Sequence, residues 1–190
     1  MTELERIRQF DLLMGDCVTP QFRSWLIDRG FFTAPASTKY HGNYEGGLFD
    51  HCYAVTNALV ELTVKNGLSW ARPNSPLMVG MFHDLCKIDS YVHPVKGYAI
   101  SGDGYNCPIL DTESWEYNKD TLLTGHGTKS VMLLGQFYEM SEEEIACITY
   151  HMGAFTEKDE WSNYTRAVHK YTNVLWTHHA DMIASHVMGV

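Results

Sequence analysis

Residues 75–87, SPLMVGMFHDLCK, decide the fold because they join a helix start, an apolar helix and a histidine–aspartate pair. The serine and proline that open the stretch are a typical helix start. Apolar side chains then occupy nearly every side of the predicted helix, which extends to about Ile88 and is typical of a central, buried helix. The spacing of Asp84 from the apolar residues predicts that its carboxylate faces the interior.

Helical patterns continue on both sides of this stretch. A helix over residues 48–66, closed by Gly67, has an apolar face that includes His51. The other predicted helices cover residues 3–14, residue 19 to about 30, the segment after His126, residues 141–151 with a capping box, and residues 164–187. Residues 89–124 lack a helical pattern, and we expect residues 95–100 and 114–117 to pair as two short strands. The predicted fold is all-α, one domain over residues 1–190, with a small β-like insertion between residues 89 and 124.

Composition limits the partners of the chain. Its 190 residues include 14 basic and 23 acidic side chains, a net charge of −9, which argues against binding to long nucleic acid. No apolar run approaches the roughly 20 residues that span a bilayer, and the N-terminus is polar, so we expect a cytoplasmic protein without membrane contact. The five cysteines are scattered without a CxxC pair, which favours free thiols.

Six side chains are candidate metal ligands, and most lie in or beside predicted buried helices. They are His51, His83, Asp84, His126, His151 and Asp181. Imidazole and carboxylate groups are costly to bury unless something offsets their lost hydration, and a metal ion does so. The set predicts a helical protein around one or two divalent ions. Because most donors are histidines, Mn, Fe, Co, Ni or Zn is favoured over Mg.

Several of these assignments have structural alternatives. His51 and His151, each taken alone, are more often core histidines with hydrogen-bond partners than ligands. Asp181 lies on an apolar helix stripe with His178, which is either its hydrogen-bonded partner or itself the ligand. We favour Asp181 as the ligand, with His178 or His179 as its support.

Other side chains are candidates for substrate binding. Lys87 and Lys129 each follow a candidate ligand by three residues and are placed to hold a phosphate; the alternative for both is a solvated surface charge. Aromatic and polar residues near the ligands are expected either to line a pocket that stacks a base or to pack loops onto the core. These are residues 40–44 (YHGNY), Trp115 and Tyr117.

The ligand order resembles that of the HD-domain metal-dependent phosphohydrolase superfamily. The resemblance rests on GGLFDH at residues 46–51, HDLCK at 83–87 and Asp181, and it covers roughly residues 38–186. GHGTKS at 125–130 and YHMG at 150–153 resemble the binuclear branch and the HD domain joined to an OB-fold in a 3′–5′ exoribonuclease family. This chain has neither the OB-fold nor a basic channel, which puts long RNA as its substrate in doubt.

The resemblance implies an enzyme in which four side chains bind one ion and two bind a second, with Asp84 bridging the ions. The first four are His51, His83, Asp84 and Asp181, and the other two are His126 and His151. It implies hydrolysis of a phosphate ester by metal-activated water, with Asp84, Lys87 and Lys129 in the catalytic machinery and a small phosphorylated substrate, a nucleotide or short oligonucleotide.

Two alternatives to hydrolysis remain. The same ligand order resembles the mixed-valent di-iron oxygenases of the HD superfamily, which implies O₂-dependent cleavage of a small polyol or phosphonate. A purely structural metal is the third reading, although structural sites usually close with four ligands.

Overall fold

A computed structural model describes residues 1–123 and 125–190. They are mostly helical with a few short strands, so the predicted all-α class is confirmed at that level. The α-helices are α1 (Glu3–Met14), α2 (Pro20–Asp28), α3 (Gly47–Asn66), α4 (Ser75–Phe82), α5 (His126–Leu134), α6 (Glu142–Thr149), α7 (Trp161–Lys170) and α8 (Asn173–Met182). Within the described ranges, no helix is both long and apolar enough to cross a bilayer.

Helix α4 lies at the centre of the protein, as its apolar sequence predicts. All but one of its eight residues are buried. Its last residue, Phe82, joins a cluster of buried aromatic rings and packs 5.0 Å from Phe22 and 6.3 Å from Phe10, centroid to centroid. Gly80 lets α4 approach α3 closely, because a Cβ atom there would lie 2.6 Å from the Cα atom of Thr56. This contact fixes α3, which carries His51, against α4, which is followed directly by the His83–Asp84 pair.

Helix α4 ends at Phe82, six residues earlier than predicted. The carbonyl of Gly80, which would accept the Asp84 N–H in a continuing helix, instead lies 2.8 Å from His83 Nδ1. The Cys86 N–H donates to the Ser130 hydroxyl at 2.9 Å, and the chain continues as a 3₁₀ turn over Leu85–Asp89. The His83–Asp84 pair therefore lies just after a helix end, where the directions of its side chains need not follow helical spacing.

The prediction of one final helix over residues 164–187 is wrong, because the helix is interrupted at Tyr171. That residue has extended backbone angles (φ −132°, ψ 94°) between α7 and α8. The side-chain amide of Asn173 donates to the Ser69 carbonyl at 2.7 Å and to Glu143 at 2.8 Å, which fixes a new start for α8. After α8 the chain widens into a π-helix, Ile183–Met188.

The insertion contains two small antiparallel ladders rather than the predicted pairing of residues 95–100 with 114–117. Strands β1 (Tyr91–Val92) and β4 (Glu116–Tyr117) pair at its base, and β2 (Val95–Ile100) and β3 (Asn106–Leu110) form a hairpin. The tight turn before β3, with Gly104 at φ 82°, makes the nearer strand the partner of β2. Thr124, where the predicted insertion ends, lies outside the described residues.

Candidate metal centre

The six candidate ligands come from separate elements and converge at one place. His51 is on α3, His83 and Asp84 follow α4, His126 opens α5, His151 follows α6, and Asp181 is on α8. Ligand atoms from them form overlapping groups in which all atoms lie within 4.8 Å of one another. All are buried except His126 and Asp181, which are partly buried at the edge of a cavity.

The carboxylate of Asp84 lies between two sets of histidines. Its Oδ2 atom is 3.5 Å from Nε2 of His51 and 3.5 Å from Nε2 of His83. Its Oδ1 atom is 2.8 Å from Nε2 of His126 and 3.5 Å from Nε2 of His151. We call the space beside Oδ2, with His51, His83 and Asp181, the deep position. The space beside Oδ1, with His126 and His151, is the outer position.

Backbone carbonyls determine which ring nitrogen carries the proton in three of the four histidines. Nδ1 of His51 lies 2.9 Å from the Val190 carbonyl, Nδ1 of His83 lies 2.8 Å from that of Gly80, and Nδ1 of His151 lies 2.7 Å from that of Ile148. A carbonyl only accepts, so each Nδ1 carries hydrogen when the ring is neutral. The Nε2 lone pairs of these rings therefore point inward, as metal ligands require.

The inward-facing atoms could hold a cation. Nε2 of His51 is 3.3 Å from Nε2 of His83 and 3.2 Å from Asp181 Oδ1, so lone pairs face one another at the deep position. At the outer position, the buried His151 Nε2 has no hydrogen-bond partner within the described part of the chain, and Asp84 Oδ1 has the His126 ring at 2.8 Å. Buried polar atoms are rarely left unpaired, and a divalent ion at each position would satisfy them. The residues present thus fit a pair of transition-metal ions.

The outer position is more open and is built differently. The His126 side chain is 37% exposed, and its Nδ1 lies 3.6 Å from the Cys86 thiol instead of a carbonyl. Gly127 brings the start of α5 against the end of α6, because a Cβ atom there would lie 2.4 Å from the Ile148 carbonyl oxygen. This close approach places His126 beside His151, with ring centroids 5.1 Å apart.

The histidines of the two positions also differ in pKa. Burial lowers the pKa of His83 to about 3, so this ring is neutral at pH 7. Burial acts in the same direction on His126, but the adjacent Asp84 carboxylate outweighs it and raises the pKa of His126 to about 10. Although burial opposes it, Lys87 leads the charges that hold the pKa of Asp84 well below its usual range. An ion at the outer position therefore replaces a proton on His126.

The two candidate phosphate ligands have different surroundings. The ammonium group of Lys87 lies 2.7 Å from Asp84 Oδ2 and lines the cavity, so it faces the predicted reaction site. Lys129 is buried, and its ammonium group is bound to Asp89 and to the Thr121 hydroxyl. Because its charge is already paired, the predicted phosphate contact of Lys129 is not supported. We assign it to the wall of a neighbouring cavity.

A cavity of about 650 Å³ opens onto the metal centre, with a volume typical of small-molecule sites. Tyr40, His41 and Tyr117 line it, as expected from the sequence. Trp115 does not: it stacks on His93 at 3.8 Å, beside a separate cavity. Tyr44 is also turned away and donates its hydroxyl hydrogen to Asp50.

Sequence reasoning missed several contributors. Cys86 lies within the quoted motif, but nothing in its spacing indicated that its thiol would contact His126. The Val190 carbonyl has no sequence signal, because any residue could supply it. His178 had been expected to support Asp181; its Nδ1 instead lies 2.8 Å from the backbone carbonyl of His151, so it braces the outer position.

The chain matches no protein-family model, no curated protein and no solved structure.

Proposed function

We propose that the chain is a metal-dependent hydrolase of phosphate esters, with a nucleotide or short oligonucleotide as its substrate. The observation that carries the proposal is the division of the Asp84 carboxylate, with one oxygen toward each set of histidines. This arrangement suits two ions that share a bridging carboxylate, which is the layout of many enzymes that cleave phosphate esters. The helical architecture and the ligand order add the resemblance to the HD-domain superfamily.

Each part of the centre has a role in this reaction. His51, His83 and Asp181 on one side of Asp84, and His126 and His151 on the other, would hold ions that supply an activated water and Lewis acidity toward the phosphoryl oxygens. Lys87 places a fixed ammonium group beside Asp84, from which it donates hydrogen bonds to a phosphoryl oxygen. His41 lines the cavity next to His51; burial lowers its pKa to about 4, so its neutral ring offers one N–H group to the substrate.

Apolar residues at the cavity wall limit the access of bulk water. Met152 and Met182 line it and are partly buried. A drier wall strengthens the electrostatic contact between Lys87 and the substrate.

The test is a phosphate-release assay on protein that has been stripped with a chelator and reloaded with Mn²⁺, Fe²⁺, Co²⁺, Ni²⁺ or Zn²⁺. The panel includes nucleoside phosphates, a dinucleotide, a sugar phosphate and an aryl phosphate. We expect release with at least one ion, none in the stripped protein, and recovery on reloading.

Oxygen consumption is measured in parallel on the iron-loaded protein with a small polyol and a phosphonate. Oxygen uptake with no phosphate release from any ester would overturn the proposal in favour of the di-iron oxygenase reading. Bound ions with neither activity would favour a structural metal.

A further inference from the structure

Few lysine or arginine side chains line the cavities at the metal centre. The main cavity adjoins a second one of about 410 Å³, and the two share Lys87 and His126 in their walls. Among the described residues that line either cavity, Lys87 and Lys129 are the only lysines and there is no arginine. Lys87 is paired with Asp84, and Lys129 is paired with Asp89.

The positive groups of the site surround one carboxylate. The two ion positions and the Lys87 ammonium group all border Asp84, so they converge on a single phosphoryl group. Proteins usually hold further phosphoryl groups with additional lysine or arginine side chains. Tyr91 and Tyr117 line both cavities here, and Lys129 in the wall of the second cavity is already bound to Asp89.

The rest of the main cavity is suited to a flat, uncharged group. Tyr40, Tyr117 and Phe155 line it and are 80%, 68% and 67% exposed. They come from three separate segments: the loop before α3, strand β4 and the turn after His151. Large aromatic side chains left exposed at the edge of a concave site are typical of surfaces that stack planar rings, and nucleobases stack on such side chains irrespective of sequence.

We propose that the site is selective for a phosphate monoester attached to a planar aromatic group, that is, a nucleoside monophosphate. We expect poorer binding of nucleoside di- and triphosphates and oligonucleotides, because the described walls of the two cavities contain no further lysine or arginine for their additional charges. Tyr40 and Phe155 recognise the base, and Lys87 and the ions hold the single phosphate. This inference rests on the proposed hydrolase function and narrows its substrate.

The first experiment compares adenosine mono-, di- and triphosphate as substrates of the metal-loaded protein, with ribose 5-phosphate as the ester without a base. We expect kcat/KM for the monophosphate to exceed that for the triphosphate by at least tenfold. Binding is measured separately by calorimetry with the phosphonate analogue of adenosine monophosphate and the imido analogue of the triphosphate. We expect the first analogue to bind at least tenfold more tightly.

Variants test which residues cause the selectivity. Tyr40→Ala and Phe155→Ala should each raise KM for adenosine monophosphate several-fold and leave that for ribose 5-phosphate unchanged. Tyr98→Ala, an exposed tyrosine on the hairpin outside both cavities, is the matched control. Asp89→Asn removes the partner of Lys129, so it should strengthen binding of the triphosphate analogue without affecting the monophosphate analogue.

The outcomes separate this inference from the function on which it rests. If the triphosphate or a dinucleotide is hydrolysed as well as the monophosphate, the selectivity proposal fails while the hydrolase stands. If no ester releases phosphate, the hydrolase proposal fails, and equal binding of the two analogues would overturn the selectivity as well. Equal KM changes for ribose 5-phosphate and adenosine monophosphate would remove the base-binding role of Tyr40 and Phe155.

Discussion

The deep and outer positions share the Asp84 carboxylate but are built from different parts of the protein. At the deep position, His51 and His83 are fully buried, and backbone carbonyls orient both rings. At the outer position, His126 is partly exposed at the start of α5, and a thiol is the group next to its Nδ1. The deep position is thus formed with the helical core, and the outer one is completed at its surface.

This difference implies an order of ion binding. Ligands held rigidly in a dry core lose little freedom when an ion binds, whereas an exposed side chain must be ordered and deprotonated. We therefore expect the deep ion to bind more tightly and to survive dialysis. The outer ion is expected to exchange readily. The predictions below test this asymmetry.

The largest effect is expected from Asp84→Asn, because among the described residues this carboxylate is the group that borders both positions. The variant should lose both ions and the metal-dependent activity. It also leaves the buried Lys87 ammonium without its charged partner, which costs roughly 3–5 kcal/mol of unfolding free energy in comparable buried pairs. Metal content after dialysis, circular dichroism and urea unfolding measure these effects.

Asp103→Asn, in the exposed turn of the insertion, is the control for that variant and should behave as the unmodified protein. Full retention of two ions by Asp84→Asn would show that the carboxylate does not bridge them.

Histidine substitutions at the two positions should have unequal effects. His51→Gln removes a ligand from the deep position and is expected to abolish tight ion binding. Since both positions share Asp84, binding at the outer one should weaken too. His126→Gln should leave one tightly bound ion and remove only the second. Metal analysis before and after extensive dialysis distinguishes the two, and His169→Gln, on the exposed side of α7, is the control.

The asymmetry would be disproved if His126→Gln lost both ions while His51→Gln retained one.

The two positions also differ in how far the sequence predicted them. The apolar spacing of α3 correctly predicted that His51 faces inward, because regular helices obey their period. The directions of His83 and Asp84 were derived from a helix that in fact ends at Phe82. Their placement depends on the hydrogen bond that His83 Nδ1 donates to the Gly80 carbonyl, and helical periodicity does not predict this contact. The ligand identities were visible in the sequence, whereas the local geometry was not.

The outer position was the less predictable of the two because it depends on contacts between distant segments. Gly127 packs closely against the end of α6, about twenty residues later in the chain. No pattern within either helix predicts this contact. The pairing of Lys129 with Asp89 likewise joins α5 to the turn after Asp84. Each lysine had been judged by its spacing from a ligand, which says nothing about a partner across the fold.

A smaller effect is expected from Cys86, which contacts the outer position only through His126. Cys86→Ala removes the group next to His126 Nδ1, and such orienting contacts typically contribute roughly 10–100-fold to metal affinity. The deep ion should be unaffected. Cys86→Ser, which keeps a polar partner, should restore part of the loss. Titration with Mn²⁺ followed by electron paramagnetic resonance measures both affinities.

Cys17→Ala serves as the control, since this free thiol belongs to neither position. An unchanged outer affinity in Cys86→Ala would mean that the thiol does not orient His126.

The smallest effect is a difference in the number of protons that the protein releases when each of the two ions binds. With its pKa near 3, His83 is already neutral at pH 7.5 and has no proton to lose when the deep ion binds. With its pKa near 10, His126 is protonated at pH 7.5 and must release about one proton to the outer ion. The affinity for the outer ion should therefore rise with pH, because His126 must lose its proton to bind it. Calorimetry in two buffers of different ionisation enthalpy counts these protons. We expect about one more for the second equivalent than for the first, and equal counts would show that His126 does not distinguish the positions.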